Sequence, residues 1–94
     1  MTTVTVRIPT PLRGFTDGAD RLEGQGGTVG EVIQALGRRY QGLGERILNP
    51  DGSVRTFVNL FLDGQDIRGL EGLNTRVADG QSLAIVPAVA GGRP

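Results

Sequence analysis

Two adjacent glycines, Gly91 and Gly92, offer the clearest chemistry in this chain. They follow Ala88-Val89-Ala90 and precede Arg93-Pro94. A Gly-Gly pair carries no side-chain bulk and has the widest backbone freedom. Such a segment threads a channel that any larger residue would block. Its reactive group is then a backbone carboxylate, which belongs to Gly92 once Arg93 and Pro94 are removed. Ala90 and Gly91 are the residues that must pass the channel. The ordinary alternative is a frayed terminus, since glycines are common near chain ends.

Side-chain chemistry is sparse. Ten arginines balance ten acids and lysine is absent, so the formal net charge is zero. Nothing there supports a nucleic-acid surface or a polybasic membrane anchor. No side-chain amine exists for Schiff-base or isopeptide chemistry. Cysteine and histidine are absent as well, which excludes disulfides, thiolate nucleophiles, zinc-finger and iron–sulfur ligation, and imidazole acid–base catalysis. No metal site is expected. No apolar run approaches the roughly 20 residues of a membrane span, and no signal peptide is visible. A cytoplasmic protein of one small domain is the expectation.

The elements that must hold the tail read as follows. Residues 3–8 alternate as Thr-Val-Thr-Val-Arg-Ile, a strand with Val4, Val6 and Ile8 inward. Pro9 and Pro11 end it, and residues 12–19 read as a loop in which Phe15 packs back onto the core. Residues 20–23 form a weak second strand around Leu22. Gly24-Gln25-Gly26-Gly27 reads as a flexible approach to the strongest local signal, the capping box Thr28-Val29-Gly30-Glu31. The box predicts a helix over about residues 29–40 with Val29, Val32, Ile33, Leu36 and Tyr40 on one stripe. Gly42 is its left-handed stop. The glycines before it lack the G-x-x-x-x-G-K-[ST] phosphate-loop pattern.

Residues 45–48 suggest one helical turn burying Ile47 and Leu48. Asn49-Pro50-Asp51-Gly52 is turn chemistry. Phe57 to Leu62 is the strongest strand, Asp63-Gly64 a hairpin turn, and residues 65–67 a short returning strand. Leu70 and Leu73 read as core plugs in an irregular stretch. Residues 83–86 form the last strand, whose ladder Pro87 ends. Alternation then turns Phe57, Asn59 and Phe61 outward if Val58, Leu60 and Leu62 face the helix, and Val86 outward beside them. Phe61 and Val86 thus make an apolar patch on the open sheet face, leading toward the tail. Docking on a partner is one reading of such a patch, and ordinary exposure the other.

The order β-β-α-β-β-β suits an α+β fold, a mixed sheet of four to five strands wrapping one main helix. That is the β-grasp, or ubiquitin-like, arrangement. The chain resembles the MoaD/ThiS family of sulfur carriers, and within it looks closest to the CysO type of actinobacterial cysteine synthesis. The resemblance rests on Val4-Thr5-Val6-Arg7-Ile8-Pro9-Thr10-Pro11-Leu12-Arg13 at the front and on residues 57–68 in the middle. It rests most on the ending Asp79-Gly80 through Ile85-Val86-Pro87-Ala88-Val89-Ala90-Gly91-Gly92. It implies a ubiquitin-like domain over residues 1–90 and a flexible Gly-Gly tail with a two-residue extension over 91–94.

The resemblance also implies a mechanism. An E1-like enzyme, using ATP, adenylates the Gly92 carboxylate, and a sulfur donor displaces AMP to leave a thiocarboxylate. A sulfur-accepting biosynthetic enzyme, cysteine synthase or similar, then takes the sulfur. The protein itself would be a co-substrate with no bound cofactor, docking through Phe61 and Val86. Carriers of this family usually end at the second glycine, whereas here Arg93-Pro94 follows. Extended relatives depend on a JAMM-type metalloprotease, which would cut between Gly92 and Arg93; the extension could equally be an expression scar. A ubiquitin-like protein modifier joined through Gly92, and an interaction module without tail chemistry, are the alternatives.

Overall fold

In the computed structural model, residues 2–87 are described. The elements run β1 (Thr3–Arg7), a 3-10 helix (Thr10–Phe15), β2 (Arg21–Gln25), α1 (Val29–Arg39), α2 (Leu43–Ile47), β3 (Val58–Leu62), β4 (Gln65–Asp66), two more 3-10 turns (Ile67–Gly69 and Gly72–Asn74), and β5 (Ser82–Pro87). The expected Gly-Gly tail, and with it the division at residue 90, lies outside the described residues.

Period-two alternation makes β1. Val4 and Val6 are buried against α1, and Thr3, Thr5 and Arg7 take the opposite face. Five strands join in one sheet of order β2-β1-β5-β3-β4. Only β1 and β5 run parallel; the other three pairs are antiparallel. α1 covers one face, which completes the β-grasp arrangement. Val29, Val32, Ile33 and Leu36 are each 0% exposed, so the expected stripe is the core-facing stripe. Tyr40 caps the helix and is only partly buried.

Thr28 Oγ1 accepts the Glu31 N–H at 3.2 Å. Glu31 Oε1, however, accepts from the Gly27 N–H at 2.7 Å, one residue upstream of the expected Thr28 N–H. The entry to the helix is held by a bridge between Thr28 and Arg76, which fixes the chain direction there.

Other expectations need correction. Gly24 is not part of a flexible approach but a buried residue of β2. A Cβ there would lie 2.6 Å from Val32 Cγ1, so glycine is what lets α1 settle onto this strand. The stretch 12–19 is half helical, with Leu12 buried. Its buried Thr16 donates from Oγ1 to Ala19 O at 2.9 Å, satisfying a hydroxyl the core would otherwise penalise. Phe57 precedes β3 and is 62% exposed, because the Val58 N–H closes a turn onto Arg55 O at 3.0 Å. Leu70 is 40% exposed rather than a core plug; Ile67 and Val77 plug the core instead, with Leu73 partly buried against it.

Candidate functional site

The placement of β5 decides what the open face presents. Two turn carboxylates hold its leading end. Asp79 Oδ1 accepts the Thr3 N–H at 2.7 Å, tying the approach to β5 to the start of β1. Asp63 lies in the β3–β4 turn at φ 49°, a left-handed geometry that aspartate tolerates better than most residues. Its carboxylate accepts the Ser82 N–H at 2.9 Å and the Gln81 side-chain amide at 3.0 Å. The Thr5 N–H donates to Gln81 O at 2.9 Å. These bonds fix the register of β5 against β1 and β3 together.

That register lines up one residue from every strand in a single row across the open face. Arg21 of β2 opposes Arg7, Arg7 opposes Ala84, Ala84 opposes Phe61, and Phe61 opposes Asp66. Val86 opposes Asn59, which makes it the diagonal neighbour of Phe61 on the same face. Val86 is 42% exposed and Phe61 is half-buried. The apolar strip is therefore bounded on one side by the two arginines. On the other side stands Asp66, bound by Arg68 Nη2 at 2.6 Å and by the Arg68 N–H at 2.9 Å. The hydrogen bonds from the Arg68 side chain, then its backbone N–H, hold the Asp66 carboxyl below its ordinary value.

The sequence placed Phe61 and Val86 on one face, and the structure brings them together there. Ala90, Gly91, Gly92 and Arg93 lie outside the described residues. Arg7, Arg21 and Asp66 were not anticipated as members of the face. The alternation of β1 does turn Arg7 outward, but the register that sets it beside Arg21 and Ala84 is tertiary information. Among the described residues no cluster of three or more carboxylates is placed to hold a metal ion, and no helix is long and apolar enough to cross a membrane.

The model of the ThiS family matches residues 6–92, from the middle of β1 through both glycines. The chain belongs to the ThiS family. A curated relative, "Sulfur carrier protein CysO" of Mycobacterium tuberculosis, is 45% identical over 91 residues, covering 95% of this chain and 98% of the relative. "Small archaeal modifier protein 3" of Haloferax volcanii is 38% identical over 65 residues, covering 69% of this chain and 70% of that one. Among solved structures, a chain of the Amycolatopsis orientalis BexX/CysO complex superposes with a TM-score of 0.88 at 40% identity, covering 95% of this chain and 99% of that chain. The relatives named as sulfur carriers are small protein co-substrates and not catalysts. This ThiS-family chain is accordingly a β-grasp carrier rather than an enzyme.

Proposed function

We propose that this protein carries sulfur as a thiocarboxylate on Gly92. The observation that carries the proposal is the reach of the family match, which runs through Gly91 and ends at Gly92, together with 45% identity to a sulfur carrier. The Gly92 carboxylate attacks the α-phosphate of ATP in an E1-like enzyme, pyrophosphate leaves, and an acyl adenylate forms. A sulfur donor then attacks the carbonyl carbon and AMP departs with the bonding pair. The product is a soft nucleophile on a tethered arm, so free sulfide need not be released. A biosynthetic enzyme of the cysteine-synthase kind, in the cytoplasm, accepts the sulfur. ATP and the sulfur donor belong to the activating enzyme, and the carrier binds neither as a resident cofactor.

In this sequence Gly92 is followed by Arg93 and Pro94. Arg93 places a long hydrated cation, and Pro94 a ring with φ fixed near −65°, where the channel is shaped for glycine. Hydrolysis of the Gly92–Arg93 bond, by a JAMM-type zinc metalloprotease, therefore precedes activation. The domain docks through the strip of Phe61 and Val86. Complex formation by CysO with BexX in Amycolatopsis orientalis supports a docking role for a domain of this shape.

Intact-protein mass spectrometry tests this after incubation with ATP, the E1-like enzyme and a sulfur donor. The chain ending at Gly92 gains the mass difference of one oxygen exchanged for one sulfur; the chain ending at Pro94 does not. Thiocarboxylation of the Pro94-ending chain would refute the processing step, and inertness of the Gly92-ending chain would refute the carrier itself. A second reading, conjugation to target proteins through Gly92, is favoured by the likeness to the small archaeal modifier protein. High-mass conjugates in cell extract, without sulfur transfer to a small acceptor, would support it.

A further inference from the structure

The hydrogen-bonding pattern gives the Arg7–Arg21 pair an unusual position. The neighbouring Ile8 N–H donates to Asp20 O at 2.8 Å. Residues 8 and 20 are thus a hydrogen-bonded pair of the β1–β2 ladder, and Arg7 and Arg21 form the adjacent non-hydrogen-bonded pair. At such pairs the side chains of facing strands come closest. Two like charges directly opposite one another destabilise a sheet, yet here two arginines occupy the place.

Among the described residues no carboxylate forms an ion pair with either arginine. The one ion pair among those residues joins Arg68 to Asp66 at the far end of the row. Asp20 lines the same groove as Arg7 and Arg21 and makes no ion pair; Glu23, two residues along β2 on the same face, makes none either. A third cation joins them. Arg13 is tethered through its Nε to Ile8 O at 3.0 Å, which brings its guanidinium to the end of β1. All three arginines line one groove of about 320 Å³, together with Asp20, Ala84, Ile85 and Val86. The groove therefore runs beside Ala84 to Val86, in the second half of β5, the last described strand before Gly91 and Gly92 in the sequence.

We propose that Arg7, Arg21 and Arg13 form a basic wall that docks on an acidic strip of the activating enzyme, beside the mouth of the channel that takes the tail. This rests on the carrier reading above and adds the surface chemistry of the partner. Phe61 and Val86 supply the apolar anchor of the contact. The arginines supply its orientation, because only one rotation of the domain sets the wall against the acidic strip while the tail points into the channel. Their mutual repulsion in the free carrier is relieved when carboxylates come between them. The same unpaired charges steer the encounter, since complementary fields raise association rates and do so less as salt screens them.

The test measures association of the Gly92-ending chain with the E1-like enzyme by stopped-flow at low and at high salt, alongside thermal unfolding. Arg7→Gln/Arg21→Gln should lower the association rate at low salt by about tenfold, the lower end of electrostatic steering, and should flatten the salt dependence. Its Tm should equal or exceed that of the parent, because a repulsive pair has gone. Arg7→Lys/Arg21→Lys should restore most of the salt-dependent rate. The parent's oxygen-to-sulfur mass gain is the control for the reading beneath. If the parent gains that mass and the glutamine variant associates at the same rate with the same salt slope, the basic wall is refuted and the carrier stands. If the parent does not gain it, the carrier reading falls and the wall's partner with it.

Discussion

Replacing Gly24 by alanine asks whether the sheet and helix meet as tightly as described. The perturbation is one methyl group. Its carbon would lie 2.6 Å from Val32 Cγ1, 3.1 Å from Val6 Cγ2 and 3.8 Å from Leu36 Cδ1. Carbon atoms rest at about 3.5–4.0 Å, so the first contact overlaps by roughly 1 Å. Val32 is 0% exposed and β-branched, and a β-branched side chain on a helix holds essentially one rotamer. It has nowhere to turn, and α1 must lift from β1 and β2. Overpacking of this kind costs about 1–3 kcal/mol. Against it stands the ordinary gain of roughly 0.4–1 kcal/mol when alanine replaces a glycine whose backbone angles it can adopt. The net loss of about 1–2 kcal/mol lowers Tm by roughly 5–15 °C in a domain of this size. Calorimetry or a urea titration reads it. The sign is decisive, because without the close contact Gly24→Ala would stabilise. A Tm at or above the parent's refutes the packing argument. Adding Val32→Ala should recover part of the loss, a coupling expected only of residues in contact.

Two further outcomes follow from the same packing. Leu36→Ala removes a fully buried side chain from the C-terminal end of the α1 stripe and should cost about 2–5 kcal/mol; an unchanged denaturant midpoint would contradict the burial. Phe61→Asp should weaken association with the activating enzyme by about 2 kcal/mol or more, the usual cost of losing a central aromatic anchor, while the unfolding transition stays cooperative; unchanged adenylation kinetics would remove Phe61 from the docking face.

The elements most visible in the sequence were those whose signals are local. Thr28 and Glu31 announce the helix because capping needs only neighbouring atoms, and Val4, Val6 and Ile8 announce β1 because alternation is a property of one strand. The readings that failed were those in which a distant segment decides. Gly24 is punctuation in sequence and a packing surface in three dimensions, since the helix that needs its missing Cβ arrives later in the chain. Leu70 is a core residue by type alone, and only the folded path shows that Val77 is buried while Leu70 is exposed. Phe61 and Val86 could be placed on one face from periodicity. That Arg7 and Arg21 stand in the same row could not, because it requires the parallel pairing of β1 with β5 and the register that Asp63 and Asp79 help to fix.

The central position of β5 has a mechanical side. Its leading end pairs with β1 through residues 82–84, and all but its first residue pairs with β3, through residues 83–87. A pull on the chain beyond Pro87, directed along the strand, loads these two ladders in shear. Backbone bonds that run across the direction of pull share such a load and must fail together, whereas a peeled edge strand gives way one bond at a time. An enzyme that drew the tail into a channel, as proposed, would therefore tug on an internal strand held on both sides. On this geometry, tension along the terminus would load both ladders at once instead of peeling the domain open from an edge.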